Sequence, residues 1–281
     1  MQLRARGRSI SLDNPIVMGI LNVTPDSFSD GGAWLEPEAA IAHGRAMAAE
    51  GAAIIDVGGE STRPDATPVS EDEELRRVIP VVEALADDPG IPISIDTRKP
   101  NVARRAVEAG ACIVNDTSGE ESDGSMTPVI AKTGAAVVLM HSRGTPATMR
   151  SLTGYSDVVA VVARFLASWA VSLEAAGVPQ DSIVLDPGFG FAKTLEQNLA
   201  LLERLDEVLG LGYPVLVGTS RKSFIGAVLD LPEDERVEGT AATVAWAVSE
   251  GAHIMRVHDV KEMVRVVKMA DAIASASWSE R

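Results

Sequence analysis

Eight times along this chain a short run rich in valine and isoleucine breaks off abruptly into polar residues. The runs are VMGILN (17–22), AIIDVG (53–58), IPISID (91–96), ACIVND (111–116), AAVVLMH (135–141), SIVLDPG (182–188), YPVLVG (213–218) and AHIMRVH (252–258). Each is nearly continuous in hydrophobicity, as strands are when a parallel sheet is covered on both faces. Segments with helical spacing separate them: Val158, Val162, Phe165 and Trp169 form one apolar stripe, which Gly177 ends. Helices are also predicted over 36–50, 71–86, 100–109, 195–209, 240–250 and 260–275, with only a short one after the SGEESDGS loop. This strict alternation, without a linker-like break, points to an α/β chain folded as a single (β/α)8 TIM barrel, about 15–275 of a one-domain chain of 1–281. A doubly wound open sheet is the alternative. Eight strands are many for it, no GxGxxG follows the first run, and GFGFAK (188–193) lacks the GK[ST] ending of a phosphate loop.

The net charge of −15 argues against nucleic acid or an anionic membrane as partner, because both require a basic face. An anionic ligand therefore needs a local cluster of cations. The single cysteine, Cys112, leaves no internal disulfide, fits a reducing compartment and reads as core packing. The basic N-terminus precedes an apolar run of only six residues, so no signal peptide is indicated. No window is expected to approach a membrane span, and a soluble cytoplasmic protein is the reading.

In a barrel the functional face lies at the C-terminal ends of the strands. Here those ends carry Asn22, Asp56, Asp96, Asn115 with Asp116, His141, Asp186, Ser220 with Arg221 and Lys222, and Arg256 with His258. Any one of them could simply cap the next helix. Asp96, Asn115 and Asp186, however, still lie within the apolar register, where side chains can point over the barrel mouth. Two carboxylates and an amide there form a hydrogen-bonding floor for a flat heterocycle with N–H donors. Lys222, Arg256, His258 and Arg63 are the candidate cations, and TSRKS (219–223) opens a helix whose amides suit an anion. Met140 and His141 read as pocket wall, and His43 and His253 as surface or strand-packing residues. The spacing offers no all-protein metal cage; Mg²⁺ held by one or two protein oxygens and a substrate phosphate is compatible with it.

MGILNVTPDSFSDGG (18–32) and GAAIIDVGGESTRP (51–64) are similar to the two signature segments of the dihydropteroate synthase family. ISIDT, VNDTSG, VLMHSRGTPATM, VLDPGFGFAK, VGTSRKSFIG and RVHDVKE follow in the family's order, so the resemblance spans roughly 15–270. It implies a (β/α)8 barrel that joins 6-hydroxymethyl-7,8-dihydropterin pyrophosphate to p-aminobenzoate, with Mg²⁺, as a homodimer. By position, Asp96, Asn115, Asp186 and Lys222, with Met140 as wall, would hold the pterin. Asn22, Arg256 and His258 would hold the pyrophosphate, and Asn22 the metal as well. Phe28, Ser29, Asp30, Thr62, Arg63, Pro64, Phe191 and Ser223 would form the p-aminobenzoate site and its lids. Asp96 would stabilise positive charge spreading into the ring as pyrophosphate leaves, with Lys222, Arg256 and His258 also at the reacting centre. The polar loop from Asn22 to Gly32 would exclude water. A pterin-dependent methyltransferase, which needs no TSRKS or RVHD cations, and a pterin binder without turnover are the competing readings.

Overall fold

The computed structural model describes residues 1–24, 36–61, 66–88 and 90–276. Eight parallel strands form one sheet: β3 (Ile16–Asn22), β4 (Ile54–Gly58), β5 (Ile93–Asp96), β6 (Ile113–Asp116), β7 (Ala136–Met140), β8 (Ile183–Asp186), β9 (Leu216–Val217) and β10 (Ile254–Val257). Their order, β8-β7-β6-β5-β4-β3-β10-β9, is closed by one bridge between Leu185 and Val215, which makes the sheet a barrel. The seam beside β9 is the weakest part of the wall. The helices outside it are α1 (Glu36–Glu50), α2 (Glu71–Ala86), α3 (Pro100–Glu108), α4 (Met126–Thr133), α5 (Val158–Ala175), α6 (Leu195–Glu203), α7 (Asp206–Leu209), α8 (Ser223–Leu229), α9 (Val237–Glu250) and α10 (Val260–Ser275).

Local chemistry accounts for several boundaries. Ser70 caps α2 through Glu73 N–H, and four acidic residues in the first turn suit the positive end of the helix dipole. Thr194 and Gln197 form a capping box at α6. The single helix expected over 195–209 is instead two, because Arg204 leaves the helical backbone between α6 and α7. A second expectation also fails. Val158–Ala175 is 18 residues long with mean hydropathy 1.7, enough by length and composition to cross a membrane. Its Val158, Val159, Val162, Leu166, Ala170 and Leu173 pack into the core outside the barrel wall, and that role explains its apolarity.

Period two along each strand separates two cores. Ile55, Val57, Ile93, Ile95, Val137, Leu139 and Met255 belong to the layer between barrel and helices. Met18, Ile54, Ile113, Ala136, Val138, Val184, Leu216 and Ile254 belong to the barrel interior, with buried Cys112. An antiparallel hairpin not foreseen from sequence, β1 (Gln2–Ala5) and β2 (Arg8–Ser11), inserts Leu3, Ala5 and Ile10 into that interior. It stops the N-terminal mouth of the barrel. All chemistry is thereby left to the other mouth.

Candidate active site

Two residues further along β4, β6, β8 and β10, the inward positions turn from apolar to polar. Ile54 gives way to Asp56, Ile113 to Asn115, Val184 to Asp186 and Ile254 to Arg256, while β5 brings Ser94 and then Asp96. Arg256 is the hub of this layer. Its Nε donates to Asp56 Oδ2 and its Nη2 to Asp96 Oδ2, both at 2.7 Å. Asn115 Nδ2 donates to the same Asp56 oxygen at 3.0 Å, and Thr117 Oγ1 to Asp96 Oδ1 at 3.3 Å. Asp186 Oδ1 accepts from Gly188 N–H at 2.7 Å. Burial raises Asp96 to about 7; Arg256 opposes the shift, and Asp56 and Glu74 add to it. Asp186 is raised by burial as well. Burial by itself would lower Arg256, yet Asp56 and Asp96 carry it above its ordinary value. Asp56 Oδ1, Asn115 Oδ1 and Ser94 Oγ are buried without a protein partner. The floor is thus rich in acceptors and suited to a ligand that presents several N–H donors.

A cleft of about 790 Å³ opens above the floor, lined by Asn22, Asp96, Phe191, Lys222, Ser223 and His258 among others. Asn115, Met140 and Asp186 line the recess beneath it, which shares Asp96, Phe191, Lys222 and Arg256 with the cleft. Lys222 Nζ stands 4.2 Å above the Phe191 ring. Ser220 Oγ accepts from His258 N–H at 3.1 Å and lies 3.0 Å from His258 Nδ1. If the Ser220 hydroxyl donates to Nδ1, Nε2 carries the imidazole hydrogen. Burial, then Arg256 and Arg221, lowers His258 to about 3. Burial and the neighbouring guanidiniums thus oppose the charge that the sequence reading gives His258. Arg221 is not aimed at an anion. It adopts φ +56, its N–H donates to Thr240 Oγ1 at 3.0 Å, and its carbonyl accepts from Arg236 Nη1 at 3.0 Å. Its guanidinium pairs with Asp259.

The structure brings together Asn22, Asp96, Asn115, Met140, Asp186, Phe191, Lys222, Ser223, Arg256 and His258 at one mouth. Phe28, Ser29, Asp30, Thr62, Arg63 and Pro64 lie outside the described residues. His141 is not pocket wall. It is fully buried behind Met140, edge-on to Phe165 at 5.2 Å and 3.0 Å from Lys193 Nζ. His253 packs at the strands, its Nδ1 accepting from Val215 N–H at 3.2 Å. Asp56 stood in the ring of polar strand ends without a role, and Lys193 was not singled out at all. The parity of Asp56 with Ile54 is the signal that places it inward. A lysine just beyond a strand carries no comparable signal.

Among the described residues no group of three or more His, Cys, Asp or Glu side chains could hold a metal. Asn22, with its side-chain oxygen near Gly58 at the cleft, is a single oxygen donor that could serve a hard divalent cation such as Mg²⁺. This donor set suits a metal delivered with its substrate.

The model of a family described as pterin binding enzyme matches residues 18–258. Dihydropteroate synthase of Bacillus subtilis is 50% identical over 262 residues, 93% of this chain and 89% of its own length. That of Escherichia coli K12 is 48% identical over 281 residues, 100% and 99% of the two chains. The solved dihydropteroate synthase of Xanthomonas albilineans with 4-aminobenzoic acid superposes with a TM-score of 0.90 at 45% identity, over 97% of each chain. The same organism's enzyme in complex with 7,8-dihydropteroate gives a TM-score of 0.88 at 43% identity, over 97% of this chain and 98% of that one. With motifs, barrel and polar mouth all in agreement, the chain belongs to the pterin-binding enzymes, in the dihydropteroate synthase family.

Proposed function

We infer that the chain makes 7,8-dihydropteroate and pyrophosphate from 6-hydroxymethyl-7,8-dihydropterin pyrophosphate and p-aminobenzoate, as a transferase of folate biosynthesis. Complexes of the Xanthomonas albilineans enzyme with 4-aminobenzoic acid and with 7,8-dihydropteroate support both ends of the reaction. The bond between the pterin methylene and the pyrophosphate oxygen breaks first, and its electron pair leaves with that oxygen. The amine nitrogen then forms the new C–N bond and gives up a proton.

The acceptor-rich floor is the observation that carries the assignment of roles. Asp96, Asn115 and Asp186 hold the donors of the pterin ring, Met140 walls it, and Lys222 binds at its edge. Ionised Asp96 stabilises positive charge as it spreads into the ring, while Arg256 and the His258 Nε2–H receive charge growing on the leaving oxygens. Mg²⁺, when bound, would neutralise the pyrophosphate, with Asn22 as its protein ligand. Phe191 and Ser223 flank the amine. A sulfonamide that mimics the amine is an expected ligand, supported by the sulfonamide drug complex of the Yersinia pestis enzyme. Exposed Trp246, Met269 and Ile273 on the outer helices support a homodimer. The net charge of −15 supports small-molecule partners rather than nucleic acid or an anionic membrane surface.

Purified chain mixed with the pterin pyrophosphate and Mg²⁺ should release pyrophosphate only when p-aminobenzoate is added. Pterin binding without release would favour a non-catalytic binder. Methyl transfer from a folate would favour the methyltransferase reading.

A further inference from the structure

A lysine is seldom fully buried, because an ammonium removed from water must regain every lost interaction from the protein. Lys193 is buried nonetheless, at the end of the loop that follows β8. Its Nζ has four acceptors for its three hydrogens: the Gly188 carbonyl at 2.8 Å, the Phe191 carbonyl and His141 Nδ1 at 3.0 Å, and the His141 carbonyl at 3.3 Å. The loop is wound about this group: Gly188, Gly190 and Ala192 all have positive φ, between +50 and +78. At Gly188 a side chain is also sterically barred, since a Cβ would run into the His141 carbonyl. Burial, then Lys193 and Arg143, lowers His141 to about 2, so a neutral ring faces the ammonium through Nδ1, while its Nε2 is buried without a hydrogen-bond partner, 3.5 Å from Glu120 Oε1. Burial draws Lys193 down to about 7 against the opposing charge of Asp186, while the converging carbonyl oxygens favour its protonated form.

We propose that Lys193 is a positioning residue, whose ammonium sets the Phe191 ring against Lys222 and is itself oriented by His141. The carbonyl it grips belongs to Phe191, and the Lys222 ammonium stands 4.2 Å from that ring. Without the pin, three carbonyl dipoles would face one another across a buried space, and the loop would have to open to hydrate them. Phe191 would move with it, and a displacement of about 1 Å at a reacting site can cost on the order of a hundredfold in rate. The inference rests on the reading that Phe191 flanks the amine.

A double-mutant cycle with the full-length chain separates the two claims. Phe191→Ala should lower kcat/KM for p-aminobenzoate by about tenfold or more, and Lys193→Met by a similar factor; the double variant should be no worse than Phe191→Ala alone. A harmless Phe191→Ala would sink the reading of Phe191. A costly Phe191→Ala with Lys193→Met either harmless or multiplicative would sink the proposal alone. Lys193→Gln, which keeps two N–H donors without the charge, should fall between wild type and Lys193→Met. Should neither lysine variant fold, amide exchange of the wild type decides. The Gly190 and Phe191 N–H groups should be protected as barrel amides are, and exchange as fast as in exposed loops would overturn the pin.

Discussion

Asp96 shows how one side chain sets both reactivity and stability. Burial lifts it to about 7, so the ionised form needed beneath an electron-poor ring is established only as pH rises through neutrality. The acid limb of kcat/KM against pH should therefore lie near 7, and Asp96→Asn should lower turnover strongly and leave a residual activity without that limb. The sign for folding is opposite. A carboxyl raised from 3.8 binds its proton more tightly in the native state, so its contribution is full below about 4 and is lost as pH rises to about 7. Asp96→Asn should therefore unfold at an equal or higher temperature than wild type at pH 8. A clear loss of thermal stability there would show that the Arg256 ion pair outweighs burial. Arg221 offers a second test at this scale, because a non-glycine residue at φ +56 is strained and needs support. Arg221→Gly keeps the backbone and loses the Asp259 pair; Asp259→Asn loses the pair alone. If the pair holds Lys222 and Ser223 in place, both should raise the KM for p-aminobenzoate by a similar factor. A Gly variant that behaves as wild type would assign the pair no part in positioning.

At the scale of elements, buried charge also joins units that sequence reading treats separately. Lys99, just before α3, bonds Glu60 after β4 and Glu74 in the first turn of α2, the latter at 2.5 Å. Arg77 adds a bond to the Gly59 carbonyl at 2.9 Å. Lys99→Met would strand the buried Glu74 carboxylate, at roughly 2 to 3 kcal/mol, less than a fully buried pair because Lys99 is partly exposed. Urea midpoints should show that loss, and Glu74→Gln in the same chain should restore part of it; strict additivity would mean the two do not interact. The helices themselves were readable: 71–86 matches α2, and 36–50 matches α1, where glycine and charge mark the ends. Tertiary links such as Lys99 were not, since the partners lie 25 and 39 positions away and carry no local period. The polar floor was readable in part. Asp96, Asn115 and Asp186 interrupt apolar runs visibly, whereas Asp56 resembles the cap of a following helix until the parity of its strand is known.

For the whole molecule, one end of the barrel is closed so that the other can be polar. The hairpin that closes it was hidden because QLRA and RSIS are four residues each, too short and too charged to show alternation. Its work is done by three side chains: Leu3, Ala5 and Ile10 enter the interior cluster, and the edge is tied by an Arg6 N–H bond to the Gly134 carbonyl at 2.9 Å. Leu3 is wholly buried there, against a layer that includes Ile54, Ile113 and Val184. Those residues sit one inward position below Asp56, Asn115 and Asp186, so the plug supports the floor only through an intervening apolar layer. Leu3→Ala should then cost about 2 to 4 kcal/mol through lost burial and a residual cavity, read from chemical denaturation. KM and kcat measured well below the new melting temperature should stay within about twofold, because contacts in a packed core are felt mainly by their neighbours. A large loss of turnover with the fold intact would mean instead that the two mouths of the barrel are mechanically coupled through its wall.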